Sequence, residues 1–248
     1  MAIDDLRALT PGQWAGLNTR ALNALLPAQW SSLDPSDLRS LTTTQWRSLE
    51  LDDFDALTPT QWGALDAPDL NAFSTNQWKM MSPTDLRAFS ALQWSQLSTD
   101  LLVALEPVQW AKLSPDSLRG LSASQWAVME TLDLRALSAS QWSSVGTTAV
   151  SSLKPEQWRT LASDDLQSLL QTQWASVPPS SLRALESSQW STLLADDFRG
   201  FSVSQWTSLA SDDIHALTPS QWALIPSPLL KAMTSAQWSD RKSTRLNS

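Results

Sequence analysis

The sequence predicts an all-α solenoid of very short helices, with two helices in each 16-residue repeat and about fifteen repeats. The first observation is that the dipeptide Gln-Trp recurs at a constant spacing, from Gln13-Trp14 to Gln237-Trp238, without an insertion. The second is a set of regularly spaced apolar columns, and the third is a Ser/Thr-Pro signal before many half repeats. A fixed period of this kind is typical of an array in which each unit packs on its neighbours.

Successive apolar columns are separated alternately by five and by three positions, so each repeat divides into two similar halves of eight residues. In the first repeat the columns hold Met1, Leu6, Leu9, Trp14 and Leu17. Residues 5–9 represent what we call the leading half, and residues 13–17 the tryptophan half. A strand with one buried face would keep its apolar residues at positions of one parity, which these columns do not. One long helix is also excluded, because a repeat of eight drifts by roughly 80° per step around a 3.6-residue helix.

Helix-start signals precede the halves, as in residues 10–13 and 82–85. Ser and Thr favour the N-cap, Pro favours the first helical position, and Gln or Asp three residues after the cap completes a capping box. Each half is therefore predicted to form a helix of roughly two turns, with its two apolar residues on one face. Because isolated helices need about 12 to 15 residues to persist, packing between the halves must stabilise them.

Tryptophan is confined to one column, at a position where the other half of the repeat carries Leu. This equivalence predicts a ladder of indole rings in the core. The alternative is a row of exposed platforms on which a glycan or nucleic-acid bases stack. An uncovered row of fifteen indoles would form a large apolar patch, which favours the core. The predicted core ladder consists of Trp14, Trp30, Trp46, Trp62, Trp78, Trp94, Trp110, Trp126, Trp142, Trp158, Trp174, Trp190, Trp206, Trp222 and Trp238.

Other columns predict packing and charge compensation. The column from Ala8 to Ala232 holds only Ala, Ser or Gly, which predicts close approach of a neighbouring backbone. Asp residues cluster in the first turn of the leading half and Arg residues near its last turn, where each complements the helix dipole by about 0.3–1 kcal/mol. We expect these charges to form a solvated, self-compensating face. Segments 145–150 and 225–229 carry Gly or two Pro, and we expect a weak helix or a bend in both.

Composition argues against several classes of function. With a formal net charge of −8, the chain lacks the surplus of Lys and Arg that binds nucleic acid or anionic membranes. No apolar run approaches the roughly 18 to 20 residues of a membrane span, so no membrane insertion is predicted. Cysteine is absent, and the single His215 stands in the Arg column of one repeat. We therefore predict no catalytic residue, no cofactor and no metal site, and a chain that is not an enzyme.

The spacing Leu-x-x-Leu-Ser/Thr-x-x-Gln is seen at Leu6, Leu9, Thr10 and Gln13 and again at residues 134–141. It resembles the eight-residue Ala-Leu-Thr-x-x-Gln repeats of large bacterial surface or secreted proteins, over nearly all of residues 1–239. The resemblance implies a spacer, stalk or interaction array at a bacterial surface or outside the cell, and no enzyme. The predicted function is a structural scaffold, spacer or protein-interaction array, with a protein partner left open. The alternative is a ligand-binding array that holds a glycan or a regular surface on exposed Trp or Ser/Thr columns.

Domain organisation follows from the period. Residues 1–239 are predicted to form one tandem-repeat array, interpreted as a fragment of a longer protein because Met1 falls in the apolar column of Leu17 and Leu33. Residues 240–248 break the period and resemble one translated reading frame of a sequencing-library adapter. We therefore interpret this basic tail as foreign to the array.

Overall fold

The structure, a computed structural model, describes residues 2–238. It is all-helical, with 65% helix and no strand among those residues, and many short helices pack on their neighbours along the chain. The predicted all-α class and repeat solenoid are thereby confirmed. The chain forms two compact units, Met1–Leu121 and Ser122–Ser248. The interpretations of Met1 and of residues 240–248 fall outside the described residues.

The helices of the first unit are four to six residues long. They are Ile3–Arg7, Pro11–Gly16, Thr19–Leu22, Pro27–Trp30, Pro35–Leu38, Thr43–Ser48, Leu51–Asp55, Pro59–Ala64, Ala67–Ala72, Thr75–Met80, Pro83–Leu86, Ala91–Gln96, Thr99–Val103, Pro107–Trp110 and Pro115–Gly120.

The second unit repeats this pattern and includes one 3-10 helix, Asp197–Gly200. Its α-helices are Ala123–Val128, Thr131–Ala136, Ala139–Ser144, Thr147–Ser152, Pro155–Thr160, Ser163–Gln167, Gln171–Trp174, Pro179–Leu182, Ser187–Thr192, Val203–Thr207, Ser211–His215, Pro219–Trp222 and Ser227–Ala232.

The helices begin at the predicted caps. Thr10 has an extended backbone, and its Oγ1 accepts a hydrogen bond from Gln13 N at 3.3 Å, while Thr10 N donates to Gln13 Oε1 at 2.8 Å. This reciprocal pair is the predicted capping box. At the leading half that starts at Ser82, the hydroxyl likewise accepts from Asp85 N at 3.2 Å and donates to Asp85 Oδ2 at 2.6 Å.

The helices end sooner than the two turns expected. Leu17, three residues after Trp14, already has an extended backbone with φ −66° and ψ 136°. The second apolar residue of each half therefore sits at or beyond the helix end. An eight-residue half has to hold a cap, a helix and a change of direction, which leaves only four to six residues for the helix itself.

Within each unit, helices pack on helices three places away in the chain. Thr43–Ser48 lies on Ala67–Ala72, and Ala123–Val128 lies on Thr147–Ser152. Because the step of three is odd and the two kinds of half alternate, every tryptophan-half helix stacks on a leading-half helix. The large indole thus lies against the smaller Leu or Phe side chains, an alternation of large and small residues that fills a core without voids.

Polar side chains also join successive turns of the coil. Arg7 Nη2 donates to the backbone oxygen of Ser32 at 2.7 Å, and Lys79 Nζ lies 3.6 Å from Glu106 Oε1. In both pairs the separation along the chain is close to one turn of the coil, the step of three helices. Arg7 therefore binds the next turn of the chain, in addition to any effect on the dipole of its own helix.

The column of small residues marks a close approach between backbones, as the sequence predicts. A Cβ atom added to Gly120 would lie 2.6 Å from the backbone oxygen of Ala91, and one added to Gly200 would lie 2.5 Å from that of Gln171. Neither glycine has a positive φ, so the need for glycine there is steric. Where the backbones approach less closely, the same column tolerates Ala or Ser.

Substitution of Gly120 by Ala is expected to lower the free energy of unfolding by about 1–2 kcal/mol, because the Ala91 backbone must move away. Gly16 provides the matched control. It is also helical, but an added Cβ would meet nothing within 4 Å. Gly16→Ala is expected to stabilise the chain by about 0.5–1 kcal/mol through helix propensity. Urea unfolding followed by circular dichroism measures the stability of both variants. A change in the free energy of unfolding that has the same sign in both would contradict the steric explanation.

The irregular segments are helical. Thr147–Ser152 and Ser227–Ala232 are both six-residue helices, so these segments form helices where a bend was the alternative to a weak helix. Gly146 adopts the extended N-cap conformation, and Pro228 lies in the first turn, where proline costs no hydrogen bond. The irregular helix lies instead at Asp197–Gly200. It is a 3-10 helix, and Asp196 before it has a helical backbone conformation.

Candidate functional site

The tryptophan column is the feature that sequence analysis singled out, and most of it lies in the core. Thirteen indoles, from Trp14 to Trp206, are almost completely buried. Rings of adjacent repeats contact each other in places, with centroids 6.3 Å apart for Trp126 and Trp142. Platforms for a glycan or for bases would need open faces, and these thirteen rings have none.

Two members of the column depart from the predicted core. Trp222 is only partly buried, and Trp238 is 45% exposed. The side chains that cover an indole come from the next turn of the coil, three helices later in the chain. The described residues, 2–238, contain no such helix for either ring, so the core assignment is wrong for Trp238 in this structure.

The invariant glutamine does more than cap its own helix. Gln45 Oε1 accepts from Thr42 N at 2.6 Å, as a capping residue should. Its Nε2 meanwhile donates to the backbone oxygens of Trp14 and Leu17, both at 2.8 Å. These acceptors lie at the end of an earlier tryptophan-half helix, Pro11–Gly16. One amide group therefore caps the start of one helix and the end of another, and both of its polar atoms are used.

The same bridge recurs along both units, with Nε2 to carbonyl distances of 2.7–3.3 Å. Sequence reasoning found only the capping half of this role. The available signal was that a capping box accepts Glu as readily as Gln, yet every repeat carries Gln. Only the amide supplies a donor as well as an acceptor. The bridging residues are Gln45, Gln61, Gln77, Gln93, Gln109, Gln157, Gln173, Gln189, Gln205, Gln221 and Gln237.

The leading half places Asp at the position equivalent to this glutamine, and many of these acids are buried. The expected solvated face is therefore wrong for the acid at this position in seven leading halves of the described chain. Asp69 shows the geometry best, because its Oδ1 accepts from the indole Nε1 of Trp46 at 3.0 Å. That tryptophan belongs to the earlier helix against which the acid packs. The buried acids are Asp53, Asp69, Asp85, Asp133, Asp165, Asp197 and Asp213.

Burial raises the pKa of these carboxyls. Removal from water, with a smaller contribution from the neighbouring Asp66 charge, raises the pKa of Asp69 to about 7. Desolvation likewise raises the pKa of Asp53, Asp165 and Asp197 to about 6. Backbone N–H and indole N–H groups that face the carboxyls act in the opposite direction, but the cost of burial is larger.

Within residues 2–238 the structure shows no candidate metal centre. No group of three or more His, Asp or Glu in this range could hold a metal ion. His215 is the last residue of a leading-half helix and is half-buried. An open groove between Val128, Leu132 and Lys154 has mainly apolar and charged walls. No described helix is long and apolar enough to cross a membrane.

Comparison with known proteins agrees with the repeat architecture. A family model described as an ALTTAQ repeat matches residues 31–67. These residues include two helices of each kind, Pro35–Leu38 and Leu51–Asp55 of the leading half and Thr43–Ser48 and Pro59–Ala64 of the tryptophan half. No curated protein matches the chain. Over the matched segment, the chain is similar to this repeat family.

Proposed function

We propose that the chain is a structural repeat scaffold, a spacer or protein-interaction array without catalysis. The observation that carries the proposal is the use of the invariant glutamine. In Gln61, Oε1 accepts from Thr58 N at 2.8 Å, and Nε2 donates to the oxygens of Trp30 and Leu33, both at 2.8 Å. A side chain that recurs in every repeat, and whose two polar atoms both bind backbone groups of the fold, has a structural role.

The remaining columns support the same proposal. The Trp and Leu columns fill the core, and the Ala, Ser or Gly column lets backbones approach. Stability in such an array arises from contacts between successive turns, because four to six residues are too few for an independent helix. The repeat-family match at residues 31–67 is consistent with a scaffold. What varies from row to row is the exposed surface, where a protein partner would bind.

A spacer should hold two points at a fixed separation that grows with the number of repeats. Because the chain has no cysteine, Ser140→Cys and Ser188→Cys would place fluorophores at two exposed sites of the second unit. We expect a narrow distribution of single-molecule transfer efficiency. Duplication of residues 155–186 should lower that efficiency, since this segment is two whole repeats and its insertion preserves the register of the glutamine bridges. A broad distribution that ignores the insertion would contradict the proposal.

The glycan alternative provides a second arm of this test. Calorimetric titration with soluble chitin and cellulose oligosaccharides is expected to show no heat of binding. Saturable binding that is lost on substitution of exposed Ser or Thr residues, such as Thr43 and Thr44, would instead favour a ligand-binding array. The fluorescence of the buried indoles should not change on addition of sugar in either case.

A further inference from the structure

Three buried acids of the second unit share one arrangement. Asp165 and Asp213 stand three residues after the N-cap of a leading-half helix, and Asp197 is the first residue of the 3-10 helix; their exposed fractions are 5%, 9% and 4% respectively. Each carboxyl accepts a hydrogen bond from the backbone N–H three residues before it, at 3.0, 2.9 and 2.7 Å in the same order. Each acid also packs on a helix of the preceding turn that carries a buried tryptophan, whose indole N–H favours the carboxylate but forms no hydrogen bond with it. Each carboxyl is thus held by its own segment and covered by the preceding turn of the coil.

The surroundings of Asp165 provide no close cation. The helices packed on its own are Ala139–Ser144 and Ser187–Thr192, and neither contains a titratable side chain. The charges that act on the carboxyl are the adjacent Asp164 and the more distant Arg135, which oppose each other. Within the described residues Asp165 forms no ion pair.

Asp197 and Asp213 are placed in the same way. Asp197 packs on Gln171–Trp174, which has no titratable side chain, and the charge that acts on it is that of Asp196. Asp213 packs on Ser187–Thr192; it feels Asp212 and Arg183, and His215 lies on its own helix. Neither acid forms an ion pair in the part of the chain that the structure describes. Burial raises the pKa of all three acids, to about 6 for Asp165 and Asp197.

Other rows show that a neutral group fits this position. Ser117 and Ser181 occupy it and are buried. The Ser181 hydroxyl donates to the backbone oxygen of Leu153 at 3.4 Å, 28 residues earlier. The glutamine Nε2 atoms of the tryptophan half bind a carbonyl at the same separation of 28 residues. A protonated carboxyl carries the same kind of donor as Ser181, whereas a carboxylate can only accept.

We propose that these buried acids make the second unit acid-responsive, so that proton uptake in mild acid tightens the packing of successive turns and ionisation near neutral pH loosens it. The sign follows from linkage. An Asp of the unfolded chain titrates near about 3.9, so between that pH and the higher folded pKa the folded chain binds more protons than the unfolded one. The free energy of unfolding therefore falls as the pH rises through this window. The scaffold would be stiffest in acidic surroundings.

The test is the thermal midpoint of the full chain, followed by circular dichroism between about pH 5 and about pH 8. The unsubstituted chain is expected to melt about 2–8 °C higher at the acidic end, the size of shift that one to two kcal/mol gives a chain of this length. The triple variant Asp165→Asn/Asp197→Asn/Asp213→Asn should melt higher than the unsubstituted chain at the alkaline end. Its midpoint should change much less with pH.

The exposed neighbours provide a control of equal charge. Asp164→Asn/Asp196→Asn/Asp212→Asn removes three charges from the same helices, and we expect it to keep the pH dependence. If both triples flatten the profile equally, the effect is one of net charge and the proposal fails. It also fails if the unsubstituted chain melts lower in acid. If the buried Asn triple does not fold, Asp165→Ser, which copies the residue native at Ser181, should flatten the profile in part.

Discussion

Substitution of Gln93 by Met is expected to lower the free energy of unfolding by about 2–4 kcal/mol, although Met matches Gln in length. Gln93 Oε1 accepts from Ser90 N at 2.8 Å, and Nε2 donates to the oxygens of Trp62 and Leu65 at 3.1 and 2.7 Å. Met makes none of these bonds. The two carbonyls then lose a partner in buried surroundings, and each such loss costs about 1–3 kcal/mol when no other partner remains. Ser90 N loses its cap at the exposed start of the helix.

The control lies on the same helix. Gln96 is also a glutamine of Ala91–Gln96, but its side chain is exposed. Gln96→Met should change the free energy of unfolding by less than about 0.5 kcal/mol, as surface substitutions usually do. Urea unfolding measured by circular dichroism separates the two variants. Similar losses for both would show that the bridge to the earlier turn contributes nothing.

A second substitution at this site isolates the donor from the acceptor. Gln93→Glu keeps an oxygen that can cap Ser90 N but replaces the donor by a carboxylate oxygen facing two carbonyls. We expect Glu to cost more than Met near pH 7. Because burial and these carbonyls would raise the pKa of the folded-state Glu, its stability should recover as the pH falls toward about 5. Stability that stays constant with pH would show that the carboxylate avoids the carbonyls.

Sequence spacing predicts contacts between residues a few positions apart, but it does not predict contacts between different turns of the coil. Caps at residues such as Thr10 follow from spacings of three residues, and the core column follows from gaps of five and three. The step of three helices does not follow, because all halves are so alike that other steps would also bury apolar residues. The second role of Gln45 is hidden for the same reason, since its acceptors lie 28 and 31 residues away.

The buried acids show a related limit. Asp164 and Asp165 are adjacent and chemically identical, and both fit the preference of a first helical turn for acids. Only the position of the neighbouring turn separates them, because it covers Asp165 and leaves Asp164 in water. A periodicity argument assigns a face to a residue on its own helix. It cannot say which neighbouring turn buries that face, because this depends on how many helices make one turn of the coil.

Truncation of Trp126 to Ala is expected to cost about 3–5 kcal/mol, the usual range for removal of a buried aromatic side chain. Trp126 is 1% exposed, and its ring lies 6.3 Å from that of Trp142. Its backbone oxygen, which accepts from Gln157 Nε2 at 3.0 Å, is retained in the variant. The loss therefore reports the indole alone, through lost burial and the cavity that remains.

Trp238 supplies the control, because the same ring in the same column is 45% exposed there. Trp238→Ala should cost less than about 1 kcal/mol, since little apolar surface returns to water. In the unsubstituted chain, the emission of the buried rings should be blue-shifted and poorly quenched by iodide, with Trp238→Ala removing part of the quenchable fraction. Strong quenching of most of the emission, together with equal losses for both variants, would mean that the rings face solvent and that the core is built otherwise.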